Sequence, residues 1–197
     1  MDMLEFIKSR RSTRRYKADA VEKEKLDQIL EAGRYAPSGG NCQTTHFIVV
    51  SNQEVLRKLA DLVQQEFAVM EETPGMYKSI VNSIRSSRKG GYVFHYVAPV
   101  LIIVANQKDY GNNIADCSCA LENMMLMANA LSLGSCWINQ LKWLNENPGL
   151  LNFLQGLGLK EGERVYGALA VGYADTKDGL PEREPLKRTG NEVTYII

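Results

Sequence analysis

One stretch of this chain constrains its fold more than any other. From Asn113 to Leu133, apolar side chains fall on nearly every side of a helical wheel: Ala115, Ala120, Leu121, Met124, Met125, Leu126, Met127, Ala130 and Leu131. A helix apolar nearly all round is stable only when surrounded, so this segment is expected to be central and buried. Gly134 ends it. Pro99 to Ala105 is its counterpart, an unbroken and β-branched run of the kind found in strands buried on both faces. A helix and a strand that both need cover on two sides require layers of structure around them.

The remaining periodicities supply those layers. Residues 2–10 read as a short helix with Leu4, Phe6 and Ile7 apolar. Val21 to Tyr35 reads as a second, with Leu26, Ile29, Leu30 and Ala32 on one face, and Pro37 stops it. Phe47 to Val50 reads as a buried strand, and Gln53 to Met70 as a helix with Leu56, Leu59, Leu62 and Val63 on one side. Pro74-Gly75 breaks the chain, Met76 to Arg88 can form a helix with a basic end, and Lys89-Gly90-Gly91 closes it. Residues 71–95 are therefore the candidate for a lid or insertion. Ser135 to Ile138 and Arg164 to Tyr173 read as strands, and Pro148 to Leu157 as a short helix. Helices alternating with strands predict an α/β or α+β domain around a central sheet. The tail from Ala174 is rich in charge, Pro and Gly but ends in Val193-Thr194-Tyr195-Ile196-Ile197. An apolar end after a polar tail predicts an arm that packs on a partner or returns to a sheet edge.

At 197 residues a single domain, 1–197, is expected. Lysine and arginine total 23, as do aspartate and glutamate, so the chain has no general basic coating for nucleic acid. The longest apolar run, Ala98 to Ala105, is far shorter than the ~20 residues of a membrane helix. Asp2 and Glu5 precede any apolar run, unlike a secretory signal. Cys42, Cys117, Cys119 and Cys136 fit no zinc or CxxC spacing, and His46 and His95 lie far apart. Four free thiols in a reducing cytoplasm, and no metal, are expected. Cys42 and Cys136 read as buried small hydrophobes and the two histidines as structural.

Against this neutral background two short stretches stand out. Arg10-Arg11-Ser12-Thr13-Arg14-Arg15 packs four arginines and two hydroxyls into six residues. Guanidinium forks bind phosphate through paired hydrogen bonds, and hydroxyls add short donors. Ala36-Pro37-Ser38-Gly39-Gly40-Asn41-Cys42-Gln43 is a tight turn carrying two amides, which can donate to and accept from a heterocycle edge. Together they point to a phosphorylated cofactor. The run Arg85 to Lys89 reads as a solvated helix end, or more sharply as a cover that greets an anionic substrate.

With these residues in view, the chain resembles the FMN-dependent nitroreductase family. The matching pieces are Arg10 to Arg14, Ala36 to Gln43, Ala98-Pro99-Val100-Leu101-Ile102, the Asp116 to Leu133 helix running into Gly134-Ser135-Cys136-Trp137-Ile138, and Gly172-Tyr173 followed by Arg183-x-Pro185-Leu186. They occur in family order along nearly the whole chain. The resemblance implies an α+β nitroreductase-like fold, a central, mostly antiparallel sheet surrounded by helices, and an intertwined homodimer with residues 174–197 as an embracing arm. It implies bound FMN at the subunit interface and ping-pong electron transfer from NAD(P)H to nitroaromatic, quinone or related acceptors.

Carried over by position, Arg10, Ser12 and Arg14 match the phosphate-holding residues, with Arg11 close by, and Arg183 matches a C-terminal phosphate contact. Pro37, Ser38 and Gly39 match a loop lying against the isoalloxazine from the other subunit, and Asn41 and Gln43 match positions near the ring or ribityl chain. Trp137, Ile138, Asn139 and Gln140 match a segment whose backbone amides approach the flavin N5. Thr44-Thr45 stands where the family commonly has Pro-Trp, and Pro181 where it often has Lys. No catalytic side chain is required, because the flavin carries the chemistry. A flavin-holding store or sensor without turnover, and a superfamily relative with ene-reductase or dehalogenase chemistry, remain the alternatives.

Overall fold

The computed structural model describes residues 2–197. At its centre is β2 (Val100–Gln107), buried from Val100 to Asn106. Its side chains alternate strictly. Leu101, Ile103 and Ala105 enter one core, and Val100, Ile102 and Val104 enter the other. A strand with two such faces must be covered twice, which accounts for its continuous apolar sequence.

Antiparallel partners flank it: β1 (His46–Val50) on one side and β4 (Glu163–Gly172) on the other, with β3 (Gly134–Ile138) beyond β4. The order is β1-β2-β4-β3. All three pairings are antiparallel, and a parallel bridge from Ser12 to Ser135 extends the β3 edge. The fold is thus the α+β architecture expected. The Phe47–Val50 strand differs from its predicted full burial. It lies at a sheet edge, and Val49 is exposed.

One face of the sheet carries α2 (Lys23–Arg34) and α5 (Asn113–Ala130), packed through Ile29, Leu121, Met124 and Ala128. The other carries α3 (Gln53–Val69), α4 (Lys78–Lys89), α6 (Gln140–Trp143) and α7 (Pro148–Gly156), packed through Leu56, Leu59, Phe67, Ile84, Leu141 and Leu150. The first helix, α1 (Met3–Ser9), starts on an Asp2 cap. Two polar contacts tie distant ends together. His46 Nδ1 meets Glu163 Oε2 at 2.7 Å, and the Asn147 side chain caps α7 while donating to Glu66.

α5 departs in part from its expectation. Its inner side is buried, but Ala115, Cys119 and Ile114 face outward in the single chain. The apolar sequence all round is therefore satisfied on one side only. Similarly, Leu186, Val193, Tyr195, Ile196 and Ile197 of the tail are exposed. Residues 71–95 include α4, which packs firmly on α3 through fully buried Ile84. No helix among the described residues is long and apolar enough to cross a membrane.

Candidate functional site

The basic segment is positioned by its backbone. Thr13 N–H donates to Ser135 O at 2.9 Å, and farther on Lys17 N–H donates to Tyr173 O at 2.9 Å. This docks the segment across the ends of β3 and β4. The close approach requires Gly134: a Cβ there would lie 2.8 Å from Thr13 Cβ and 2.7 Å from both atoms beyond it. An extended chain sends alternate residues to opposite sides. Accordingly Arg10, Ser12 and Arg14 share one side of the segment and Arg11 the other. Burial pushes the nearby Cys136 thiol up, against the opposing influence of Arg14, Ser12 and Arg10. Arg14 also lies over the Tyr96 ring, 6.0 Å from its centroid. Tyr96 and Val97 both adopt left-handed backbone, φ 57° and 56°, a strained arrangement for side-chain-bearing residues. Arg10 has a loose ion pair with Glu122 of α5 at 3.9 Å.

Arg11 instead binds the tail, donating to Glu184 O and pairing with Glu182 at 3.5 Å. Arg183 lies between those two acids in sequence and donates to Asn129 O at 2.8 Å, at the negative end of α5. Its Nε is buried with no hydrogen-bond partner among the described residues. The beginning of the basic segment reaches the same place, since Asn129 Nδ2 donates to Ser9 Oγ at 2.9 Å.

The Pro37–Gln43 loop sits elsewhere. Gly39 N–H donates to Asp116 Oδ1 at 3.1 Å, and Gly39 O accepts from the Tyr110 hydroxyl at 3.0 Å. Tyr110 also donates to Asp116 Oδ2 at 2.9 Å. Partial burial, with the Asp116 carboxylate alongside, pushes the Tyr110 phenol up to about 12. Ser38 Oγ accepts from Gln43 N–H at 3.1 Å, and Asn41 and Gln43 are exposed. The loop walls a cleft of about 310 Å³, lined in part by Pro37, Ser38, Gln43, Thr45, Phe47 and Asp116.

Asp116 and Asn129 are thirteen residues apart on α5 (129 − 116), or roughly 20 Å at the helical rise. The basic segment also meets α5 nearer the loop, where Arg10 pairs with Glu122, six residues (122 − 116) or roughly 9 Å along the helix from Asp116.

The end of β3 and the turn that follows it form a third part. Ile138 is buried, and Trp137 is half-buried with its indole N–H on Asn139 Oδ1 at 2.9 Å. Gln140 begins α6, and its amide donates to the Tyr92 hydroxyl at 2.8 Å and to Ser83 Oγ at 3.3 Å. Arg85 and Arg88 are occupied by Glu72, at 2.8 and 3.3 Å, and Arg88 also donates to Met70 O.

Of the cysteines, all four free, Cys117 and Cys136 are buried, but Cys42 is exposed on the loop, contrary to its reading as a buried hydrophobe. Sequence reasoning assigned no role to Tyr110, Asp116 or Tyr92. The available signal for Asp116 was a lone acid in the first turn of an otherwise apolar helix.

The geometry has close relatives. The Nitroreductase family profile matches residues 7–173. A crystal structure of a nitroreductase with bound FMN from Bacteroides fragilis superposes with a TM-score of 0.86 at 35% identity, covering 100% of both chains. An Archaeoglobus fulgidus protein provisionally named an NADH dehydrogenase/NAD(P)H nitroreductase is 30% identical over 182 residues, 90% of this chain and 88% of its own. A Methanothermobacter thermautotrophicus protein of the same provisional name is 35% identical over 141 residues, 70% of this chain and 60% of its own. In sequence along most of its length, and in fold, this chain belongs to the nitroreductase family.

Proposed function

We propose that this protein is an FMN-dependent oxidoreductase that takes electrons from NAD(P)H and passes them, by a ping-pong route, to nitroaromatic, quinone or related acceptors. The observation that carries the reading is the docking of the arginine-rich segment on the β3 edge, where Thr13 N–H donates to Ser135 O at 2.9 Å and alternation puts Arg10, Ser12 and Arg14 on one side. Two cations and a hydroxyl on a backbone-fixed segment form a phosphate cradle. The buried, unpartnered Nε of Arg183 adds a donor in the neighbouring tail. These residues fit the phosphate end of FMN.

When bound, FMN supplies the hydride chemistry, and the protein supplies binding, orientation and electrostatics. Arg10, Ser12 and Arg14 would hold the phosphate, with Arg11 and Arg183 flanking it. Pro37, Ser38 and Gly39 would exclude water from one side of the ring. The exposed amides of Asn41 and Gln43 would meet polar ring or ribityl atoms. Trp137, Ile138, Asn139 and Gln140 would offer backbone N–H groups, kept in place by the Tyr92–Gln140 contact. Residues 71–95 thus act as a wall of the site, and as its lid wherever they move.

Each site takes its loop from a second copy, as the family resemblance implies. A homodimer also covers the outward side of α5 and the apolar end of the 174–197 arm, both exposed in the single chain. The four free thiols fit a cytoplasmic setting.

The test is the absorbance spectrum of purified protein, then anaerobic mixing with NADH or NADPH. Flavin bands that bleach within seconds and return on adding acceptor are expected. Bands that never bleach would favour a store or sensor. A colourless protein that cannot be loaded with FMN would overturn the reading. Light scattering of the same sample should give the mass of two chains.

A further inference from the structure

We propose that Tyr110 and Asp116 are positioning residues that clamp the Gly39 peptide by both its polar groups and so pre-set the loop that meets the flavin. The inference rests on the flavin reading above. Asp116 takes the N–H of Gly39 at 3.1 Å, Tyr110 gives its hydroxyl to the C=O at 3.0 Å, and the two side chains meet each other at 2.9 Å. The hydroxyl has one proton and two acceptors, so it serves as a shared bridge. Both residues come from the β2–α5 connection and the first turn of α5, a rigid base.

The clamp is built for direction. Asp116 is 5% exposed, and the partners found for its carboxylate are N–H and O–H dipoles with the positive end of α5 behind them. A buried carboxylate held by dipoles is an expensive way to stabilise a loop, and apolar packing would do that better. What it provides is a defined peptide orientation. Gly39 is drawn in as far as backbone can go, since a Cβ there would fall 2.1 Å from Asn112 Nδ2 and 2.6 Å from the Tyr110 hydroxyl.

Immediately beyond, the chain turns through left-handed conformations at Gly40 (φ 58°), Asn41 (φ 56°) and Gln43 (φ 53°). Side-chain-bearing residues resist that region, so something outside the turn must hold it. Ser38 Oγ closes the turn on Gln43 N–H at 3.1 Å. The result presents the Asn41 and Gln43 amides outward before any ligand arrives. A loop ordered in advance loses less entropy on binding.

Tyr110→Phe removes only the hydroxyl and is the first variant to make. Two measurements are needed: residue-level hydrogen exchange on the apoprotein, and the Kd for FMN by fluorescence titration. Exchange at residues 39–43 should accelerate about tenfold, with β2 and β4 unchanged, and the Kd should rise about tenfold, as for loss of one hydrogen bond. Asp116→Asn keeps an acceptor for Gly39 N–H and should shift both readouts the same way by less. It also decides the question if Tyr110→Phe fails to fold. Wild-type exchange in the loop, an unchanged Kd, or acceleration spread equally over β2 and β4 would overturn the clamp. Wild-type protein that takes up no FMN overturns the flavin reading itself. FMN bound equally well by wild type and variants overturns only the clamp.

Discussion

Thr13 docks on the sheet through its backbone, whereas Gly39 is held off the sheet by two side chains. In the first case the partner is Ser135 O of β3, and the missing side chain that permits contact belongs to Gly134 in the sheet. In the second the partners are Tyr110 and Asp116, and the missing side chain is in the loop itself. A segment woven into the sheet shares the sheet's stability. A loop fastened by two polar side chains can be loosened alone. The cradle should therefore fail together with the fold, and the loop should fail by itself.

Gly134→Ala presses hardest on that contrast. The new Cβ would meet Thr13 Cβ at 2.8 Å, an atom fixed to the backbone. Overpacking of this kind costs about 1–3 kcal/mol. The urea midpoint and FMN affinity should fall together. Loss of FMN binding at unchanged stability would break the comparison.

Acid provides the next test. His95 is buried and lies one residue before the Tyr96 that supports Arg14. Burial holds its pKa below the ordinary 6.5. The fold thus prefers neutral His95. Its contribution is fully present above the unfolded value of about 6.5 and is lost as pH falls towards the lower folded value, by up to about 1.4 kcal/mol per pH unit. Thermal melts across this window should decline with acid, and His95→Leu should flatten the decline. An identical slope in the variant would remove His95 as the cause.

Gly39→Ala is the counterpart in the loop. Its Cβ would meet the ends of the Asn112 and Tyr110 side chains, which can swing aside. Stability should change by less than about 1 kcal/mol while the FMN Kd rises about tenfold. A large drop in the melting temperature would show that the loop too is woven into the fold. The smallest effect is expected from Tyr96→Leu, which removes the ring 6.0 Å from the Arg14 guanidinium. A partly exposed cation–π contact contributes about 0.5–1 kcal/mol, so the Kd should rise only a few-fold. A hundredfold rise would mean that Arg14 depends on that ring for its position.

Much of the architecture was legible in the chain. The unbroken run from Pro99 to Ala105 does form the strand covered on both faces, and the Lys23–Arg34, Gln53–Val69 and Asn113–Ala130 helices lie where period and stop signals put them. The four-residue α6 was missed because one turn is too short to show a period. Phe47–Val50 was read as buried because an apolar run of this length looks alike in central and edge strands, and only the sheet order distinguishes them. The acid partner of His46 was not legible because Glu163 is 117 residues away.

The basic segment and the amide-bearing turn were visible because their chemistry is local. Residue types set by the chain can name a phosphate cradle, a turn and a helix needing cover. They do not say which atoms converge. That Arg10, Ser12 and Arg14 share one side of a segment pinned on β3 while Arg11 turns to the tail follows from extended backbone docked on Ser135. That Asp116 serves the Gly39 peptide depends on a contact spanning 77 residues. Sequence spacing determines which side chains share a face of one element, because helical and extended periods are fixed by local sterics. Contacts between elements depend on the packing of the whole sheet and its helices, and only the tertiary structure decides them.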